Sequence, residues 1–395
     1  MALSRTRWGI VVLLISAGVI GAFQVGKAAI AVPALREDLG LSLYSASWIV
    51  GALGLLGALV ALPASLLLTL LPARATLIAG LGAVGAGSIA GAYTASGDTL
   101  LATRALEGCG FLCIILSAPR LFRLVTAPAD NQSAFALWGC YMPVGAAVMM
   151  LMGPLFIQSF GWRGLWLFNG FLPIAYALVV ALLPIPGSDA RDSSRHDLGK
   201  NIRAGFATPG PLLVAVAFAT YTFQYFALSS LFPALLVERL GLSIGAAGLI
   251  SAGAVLANGV GNLLAGGLLR LGLPVWLIVA TGFLASGTFA FGIFSDAVPV
   301  GTVAVLAAAS LAITGLVPAS LFAAAPLVSS TAALLAVTLG LITQIGIAGQ
   351  FLGPAALAAF VERYDWSQAP VIFVAAMVLG IGLSLALRRV LRKPA

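Results

Sequence analysis

Charged residues are what this sequence has least of. Only 8% of its 395 residues are charged, whereas 61% are hydrophobic. A soluble domain carries about 25% charged residues and about 45–50% apolar ones. So few charges cannot cover a water-exposed surface, because the surplus apolar side chains would have nowhere to be buried. The scarcity of charge therefore excludes an ordinary soluble protein and indicates a chain surrounded by lipid.

Side chains that bind metals or cofactors are scarce as well. The single histidine, His196, lies in a polar segment, and Cys109, Cys113 and Cys140 lie in apolar runs without a CxxC spacing. This set supplies neither a disulfide framework nor a zinc or iron–sulfur site. The apolar runs hold no pair of nucleophile and base, and the phosphate-binding pattern GxxxxGK(S/T) is missing. We therefore expect no metal, no cofactor and no enzymatic activity.

What the sequence has instead is a series of long apolar runs. About 20 apolar residues cross a bilayer core. The first run follows Arg5 and Arg7 and continues to about Pro33, longer than the roughly 7–15 residues of a signal-peptide core, so we expect it to be retained. The sequence predicts an all-α membrane protein with twelve transmembrane helices at residues 8–32, 46–69, 76–95, 99–119, 134–157, 164–184, 211–236, 244–268, 274–295, 299–323, 332–357 and 369–387.

The basic residues predict how the chain is oriented. They form short clusters between the apolar runs, with no basic face interleaved with aromatic residues, so we expect no nucleic-acid partner. Cytoplasmic loops of membrane proteins are enriched in Lys and Arg. With the N-terminus inside, most basic residues fall on the cytoplasmic side, and only Arg36, Arg163, Arg239 and Arg363 fall in outer loops. This bias predicts that both termini are cytoplasmic. The frequent use of Ala, Gly and Leu suggests a bacterial inner membrane.

The two halves of the chain resemble each other at a shift of about 200 residues. Residues 33–35 (PAL) and 39–42 (LGLS) recur as residues 233–235 and 240–243, with one residue inserted between the two pieces. The repeat predicts two six-helix bundles, residues 1–185 and 211–395, joined by a cytoplasmic linker at 186–210. Parallel repeats of this kind are related by a pseudo-two-fold axis along the membrane normal, with the solute site between the halves.

Several short motifs carry a family resemblance. Residues 104–110 (RALEGCG) are similar to an Arg-x-x-Gln-Gly-x-Gly signature, and residues 161–163 (GWR) follow span five. Gly145 and Gly153-Pro154 resemble a helix-breaking antiporter motif, although the glycine pair that usually follows is absent. Residues 65–74 keep only Arg74 of the pattern Gly-x-x-x-Asp-x-x-Gly-x-Arg. Together these motifs resemble the major facilitator superfamily over the whole chain.

The resemblance implies a secondary transporter that alternates between inward-open and outward-open states. It implies a gating role for the loop that carries Arg74, where Thr69 replaces the acid of the pattern. The subfamily resembles bacterial small-solute permeases of the cyanate type or drug exporters. Because proline and glycine can kink helices, we expect hinge points at a set of such residues within the spans. These are Pro143, Gly153, Pro154, Gly353 and Pro354.

Three charged side chains lie well inside the spans: Lys27, Arg104 and Glu107. A charge at the bilayer centre costs about 2.5–3.5 kcal/mol on insertion scales, so retained charges suggest function. Arg104 and Glu107 share a helix face at i and i+3. They form either a proton-coupling pair, in which protonation of Glu107 releases Arg104 to bind an anion, or a fixed structural ion pair. Lys27 either lines the solute site with Gln24 or extends its long side chain to the outer interface.

The second half has no charge within its spans, but it has a polar set. Amides and phenols orient a solute at little desolvation cost, and they also hydrogen-bond between helices. We expect substrate contacts from Tyr221, Gln224, Tyr225, Asn258, Asn262 and Gln344.

The favoured function is therefore proton-coupled transport of a small organic anion by a monomer. The alternatives are an exporter of drug-like compounds and, less favoured, a membrane receptor or intramembrane enzyme. The longest polar segment, 186–210, is too short for a signalling domain.

Overall fold

The computed structural model describes residues 5–183, 185 and 205–392. Most of the predicted linker at 186–210, including His196, lies outside the described residues, as do the side chains of Ser65 and Thr69 in the Arg74 loop. The described residues are almost entirely helical, and they contain no strand. The all-α prediction is therefore confirmed.

The helices of the first half follow the predicted apolar runs. They are α1 Trp8–Leu39, α2 Leu43–Gly51, α3 Leu55–Leu67, α4 Ala73–Ala92, α5 Gly97–Val125, α6 Asn131–Trp138 and α7 Tyr141–Leu182. Those of the second half are α8 Pro209–Ala234, α9 Ile244–Arg270, α10 Val275–Ile293, α11 Val300–Thr314, α12 Leu316–Ala324, α13 Ala332–Tyr364 and α14 Pro370–Arg392. Single 3₁₀ turns occupy Ala52–Gly54, Leu68–Leu70, Pro128–Asp130, Ala325–Val328 and Trp366–Gln368, and a π-helical turn occupies Leu235–Arg239.

Eleven stretches of the described residues are long and apolar enough to cross a membrane. One of them, α7, has 42 residues. A straight α-helix of that length would measure about 63 Å at 1.5 Å per residue, twice the thickness of a bilayer core. It contains two predicted spans and is broken at Gly161, where φ is 66° and ψ is 177°. A residue with a Cβ atom would be strained in that backbone conformation, so glycine is required there. With α7 counted as two crossings, the twelve-span prediction is confirmed.

Two predicted spans have different limits in the structure. The run predicted at 134–157 begins as a helix at Tyr141, because Gly139 and Cys140 form a turn after the short helix α6. The run predicted at 299–323 is interrupted at Gly315, between α11 and α12. Hydropathy does not respond to a turn of one or two apolar residues, which is why both breaks were missed.

The chain divides into two compact units. Unit 1 comprises Met1–Ser194 and Leu242–Ala252, and unit 2 comprises Arg195–Gly241 and Gly253–Ala395. In unit 1, α1 packs on α7, and α4 packs on both α5 and α7. In unit 2, α8 packs on α13, and α10 packs on α14. The domain boundaries drawn from the sequence remain a prediction.

The sequence repeat appears as two helix ends of the same design. After α1, Gly40 adopts a left-handed φ of 62°, and its N–H donates to Arg36 O in the ordinary α-helical pattern. In the second half Gly241 has a φ of 66°, but the preceding Leu240 N–H donates to Leu235 O, five residues back. A π-helical turn holds one more residue than an α-helical turn. The Leu235–Arg239 turn therefore accommodates the residue inserted in the second repeat.

Glycines bring the paired helices of each unit into backbone contact. A Cβ added at Gly26 on α1 would lie 2.2 Å from the Ala146 carbonyl oxygen on α7. A Cβ added at Gly353 on α13 would lie 2.2 Å from the Phe223 carbonyl oxygen on α8. Small residues allow such close approach in lipid, where van der Waals packing drives helix association.

Candidate functional site

A buried cluster of three charged side chains lies in unit 1. Lys27 Nζ on α1 lies 3.0 Å from Glu107 Oε1 on α5, and Arg104 binds the second carboxylate oxygen from one turn earlier on α5. All three side chains are fully buried. The Glu107 carboxylate therefore bridges two cations. The Arg104–Glu107 pair was expected from the spacing, whereas the ion pair between Lys27 and Glu107 was not.

The Lys27 ammonium has two further contacts that anchor it between helices. Its Nζ donates to Ser88 Oγ on α4 at 2.6 Å and lies 4.5 Å from the centre of the Trp166 ring on α7. Ser88 Oγ in turn donates to the Trp166 carbonyl oxygen at 2.8 Å. Lys27 therefore does not extend to the outer interface, and that alternative is wrong. Sequence reasoning missed Ser88 and Trp166, because neither shares a helix with the charged residues.

Arg104 is held by backbone groups as well as by Glu107. Its Nε donates to Ile49 O at 3.0 Å, and its second terminal nitrogen donates to Gln24 O at 3.0 Å. These bonds tie α5 to α2 and α1. A planar guanidinium with several directed donors suits such a fixed position. Arg104 is thus bound in three directions, whereas Lys27 binds only side chains.

Three buried polar atoms beside the cluster have no hydrogen-bond partner among the described residues. They are Gln24 Oε1, Asn169 Oδ1 and Trp166 Nε1. The opposite ends of the two amides are used, since Gln24 Nε2 donates to Asn169 O at 3.4 Å and Asn169 Nδ2 donates to Leu165 O at 2.9 Å. A buried acceptor without a partner costs about 1–3 kcal/mol. These atoms therefore offer free hydrogen-bonding capacity one helical turn from Lys27 on α1 and from the Trp166 ring on α7.

Two glycines allow close packing around the helix segment that carries Glu107. A Cβ at Gly87 on α4 would lie 2.9 Å from Glu107 Cγ, and one at Gly108 on α5 would lie 2.6 Å from Leu53 O. α4 and the Ala52–Gly54 turn therefore approach α5 more closely than a side chain at these two positions would permit. In a medium of low dielectric the interactions among the three charges are stronger than they would be in water.

The polar residues predicted in the second half all belong to unit 2, and part of the set forms a connected group. Tyr221 Oη donates to Asn258 Oδ1 at 3.2 Å, and Asn258 Nδ2 donates to Leu311 O at 2.9 Å. Tyr225 stacks on Tyr221 with ring centres 5.7 Å apart. Gln224 is 1% exposed, and neither of its amide atoms has a partner in the described part of the chain.

Two further residues of the predicted set lie on α9 and α13. Asn262 is half-buried one turn beyond Asn258 on α9. Its Oδ1 has no partner within the described ranges. Gln344 is half-buried on α13.

Two of the predicted gating and hinge residues, Arg74 and Pro143, lie at or bind to helix ends. Arg74, at the start of α4, donates to Val180 O at 3.3 Å and Ala181 O at 2.6 Å, the free carbonyl oxygens at the end of α7. A cation at a helix C-terminus is favourable for the helix dipole. Pro143 lies in the first turn of α7, where a missing N–H breaks no hydrogen bond.

The Gly153-Pro154 and Gly353-Pro354 motifs lie within helical segments. Pro154 is inside α7 and Pro354 is inside α13. A Cβ at Gly153 would lie 2.7 Å from Ile30 Cγ2 on α1, which parallels the contact of Gly353 with α8. The non-helical residue inside α7 is Gly161, seven residues after Pro154. A hinge role for the Gly-Pro motifs remains a prediction.

Comparison with known proteins identifies a family and several relatives. A family model described as Major Facilitator Superfamily matches residues 13–348. The puromycin resistance protein pur8 of Streptomyces alboniger is 30% identical over 188 residues, which cover 46% of this chain and 36% of that protein. The 4-hydroxybenzoate transporter PcaK of Pseudomonas aeruginosa is 28% identical over 216 residues, covering 54% of this chain and 48% of that protein. The matched region thus spans less than half the length of either relative.

Solved structures match over nearly the full length. A bacterial homologue of the human lysosomal transporter Spinster, inward-facing and unoccupied, superposes with a TM-score of 0.81 at 15% identity and covers 100% of both chains. A D-xylose–proton symporter superposes with a TM-score of 0.74 at 12% identity, covering 96% of this chain and 97% of that one. At such low identity these matches establish the fold alone.

Proposed function

The chain belongs to the Major Facilitator Superfamily, and from that premise we propose that it carries a small organic anion across the membrane together with protons. Its place among the multi-pass membrane transporters of this family follows from the family match and the eleven apolar stretches. What we propose beyond this is that the solute is an anion and that its transport is coupled to protons. One observation carries it: the buried cluster in unit 1 combines two cationic side chains with a single carboxylate.

The excess of positive charge in the cluster favours an anionic solute. A buried charge without a counter-charge costs several kcal/mol. A bound carboxylate would supply the missing negative charge, whereas a hydrophobic cation would add to the excess. The relative named as a 4-hydroxybenzoate transporter supports a carboxylate solute.

Protonation of Glu107 would link anion binding to the proton. The carboxylate holds both Lys27 and Arg104. Once neutral, it would no longer attract either cation strongly, and the cluster would gain affinity for an anion. Arg104 would stay in place because Ile49 O and Gln24 O still bind it. We therefore assign the anion contact to Lys27 and a positioning role to Arg104, which revises the expectation that Arg104 is released.

The unpartnered acceptors near the cluster offer a second position for the lysine. An ammonium has three donors and no acceptor. Gln24 Oε1 and Asn169 Oδ1 are buried acceptors without a partner in the described part of the molecule. Gln24 lies three residues before Lys27 on α1, and so on a neighbouring face. Lys27 would move from Glu107 toward these oxygens on protonation of Glu107, with the anion as its counter-charge.

We extend the proposal to location and assembly. The bacterial origin of the relatives supports a bacterial inner membrane, and the distribution of Lys and Arg supports cytoplasmic termini. We propose that a monomer transports the solute.

Export of drug-like compounds is a second candidate. Similarity to antibiotic resistance proteins favours it, among them pur8 and the lincomycin resistance protein of Streptomyces lincolnensis. The two buried cations argue against a cationic drug but leave neutral or anionic compounds open. Ligand charge therefore separates a cationic drug from an organic anion.

Replacing Glu107 with glutamine should uncouple transport from the proton gradient. Glutamine keeps a hydrogen-bonding group of similar size but cannot exchange a proton. In proteoliposomes loaded with an accepted anion, counterflow should continue while accumulation driven by a pH gradient falls at least tenfold. Glu362→Gln, at the exposed end of α13, is the control and should accumulate the anion like the wild type. Gradient-driven accumulation at the wild-type level in Glu107→Gln would exclude Glu107 as the coupling acid.

Replacing Lys27 with methionine should remove anion binding while preserving the fold. Methionine fills a similar volume, and Glu107 keeps Arg104 as its partner. Purified wild-type protein should be stabilised thermally by benzoate, by about 2.7 kcal/mol at 100 times its dissociation constant. Lys27→Met should show no such shift. Stabilisation of the wild type by tetraphenylphosphonium, with no response to benzoate, would instead favour the exporter.

A further inference from the structure

Gln224 is a buried amide whose polar atoms are unpartnered in the part of the chain that the structure describes. It lies on α8 with 1% of its surface exposed, and neither Oε1 nor Nε2 has a hydrogen-bond partner within the described residues. A primary amide offers two donors and two acceptor sites. Each buried polar atom left without a partner costs about 1–3 kcal/mol, and native proteins rarely tolerate such a group without a functional reason. Gln224 is therefore a candidate for contact with a ligand.

The helix that carries Gln224, α8, has no charged residue. From Pro209 to Arg392 the charged residues lie toward helix ends and in the turns between helices, beginning with Glu238 and Arg239 and ending with Arg392. No charged residue in the described part of unit 2 is fully buried, so none is placed there to balance a buried ionic group. Since the amide itself is neutral, the group that it suits is a neutral one with both a donor and an acceptor.

Aromatic side chains lie on α8 both before and after Gln224. Tyr221 stacks on Tyr225 at 5.7 Å with an interplanar angle of 24°. Phe218 lies 5.9 Å from Tyr221 at one end, and Phe226 lies 4.9 Å from Tyr225 at the other. Gln224 follows Tyr221 by three residues, so its amide shares that side of the helix. A planar ring packs favourably against such a row of aromatic side chains.

The Tyr221 ring is fixed in position by a tight helix crossing. Its hydroxyl donates to Asn258, whose own amide donates to Leu311 O. Asn258 is held where α9 meets α11 and α12, because a Cβ at Gly315 would lie 2.2 Å from Asn258 O. A side chain locked in this way binds a ligand without losing further conformational freedom.

We propose that unit 2 contains a binding site for a neutral aromatic group that carries a hydrogen-bond donor and acceptor, such as a phenol or a benzamide. The Gln224 amide binds the polar group, and the Tyr221 and Tyr225 rings pack against the aromatic face. The inference rests on the proposed function in one respect, since the aromatic group is taken to be part of the transported solute. It adds a recognition element that charge in unit 1 does not supply.

The test uses an uncharged probe on the purified full-length protein. We expect 4-hydroxybenzamide to raise the Tm of the wild type, and cyclohexanecarboxamide, which has the amide without the aromatic ring, to bind at least fivefold more weakly. Gln224→Leu should weaken 4-hydroxybenzamide binding about tenfold or more, because both amide hydrogen bonds are lost. The same substitution should raise the Tm of the ligand-free protein, since it removes two unpartnered polar atoms. Gln350→Leu, at a second buried glutamine of unit 2, should leave the probe affinity unchanged.

Several outcomes would overturn the inference. Equal affinity of Gln224→Leu and wild type for the probe would exclude the site, and a lower ligand-free Tm together with unchanged affinity would assign Gln224 to packing. Equal binding of the saturated analogue would exclude the aromatic contact. If Gln224→Leu yields too little protein, Gln224→Met serves the same comparison. Because the probe is uncharged, its binding does not depend on anion recognition. If the wild type binds 4-hydroxybenzamide but not benzoate, the proposed function alone is overturned. If the wild type binds benzoate but not 4-hydroxybenzamide, this inference alone is overturned.

Discussion

Replacing Glu107 with alanine is expected to destabilise the protein by about 3–5 kcal/mol, which is the usual cost of removing one partner from a buried ion pair. Lys27 and Arg104 are both fully buried, and Glu107 binds both. Without its carboxylate, two cations would remain close together with no counter-charge in a medium of low dielectric. The measurement is the thermal unfolding of purified protein in detergent, followed by intrinsic fluorescence and by size-exclusion chromatography after heating.

A double variant separates lost charge balance from lost packing. Adding Lys27→Met to Glu107→Ala removes one of the two unpaired cations, so it should recover at least half of the lost stability. The control is Asp38→Asn, which breaks the 2.5 Å pair with Arg163, where both side chains are more than 40% exposed. An exposed pair contributes about 0–1 kcal/mol, so this change should be small. A double variant less stable than Glu107→Ala alone would show that charge balance does not hold the cluster together.

Replacing Gly261 with alanine should have the second large effect, a loss of about 3 kcal/mol, at the upper end of the usual cost of overpacking. The added Cβ would lie 1.8 Å from the Ala312 carbonyl oxygen, and backbone cannot yield as a flexible side chain does. The crossing of α9 and α11 would have to open. Asn258, one turn earlier on α9, would then lose its bond to Leu311 O and its hold on Tyr221.

The control for this prediction lies on the same helix. Gly253 has no atom within 4 Å of an added Cβ, so Gly253→Ala should be neutral or stabilising by up to about 1 kcal/mol, as expected from helix propensity. Equal thermal stability of the two alanine variants would show that the close crossing at Gly261 does not contribute to stability. A loss confined to Gly261→Ala, accompanied by weaker 4-hydroxybenzamide binding, would link the crossing to the aromatic row.

The sequence determined the features that depend on local composition. Each span could be found from its apolar length, because a lipid environment requires about 20 apolar residues whatever the neighbouring helices are. The pairing of Arg104 with Glu107 could be predicted because both lie on one helix, where a spacing of three residues sets the distance. The repeated helix end at Gly40 and Gly241 was also visible as repeated letters, although the π-helical turn that accommodates the extra residue was not.

Only the tertiary structure decided which helices pack together and in what register along their axes. The partners of Lys27 lie on α4, α5 and α7, and no local rule gives the rotation and register of four helices at once. For the same reason the sequence left open whether Lys27 extends to the interface or turns inward. It also could not show that Gln224 is buried without a partner among the described residues, because that property depends on the atoms packed around the side chain. Apolar length fixes how many times the chain crosses the membrane, while side-chain packing between the helices decides which polar groups meet.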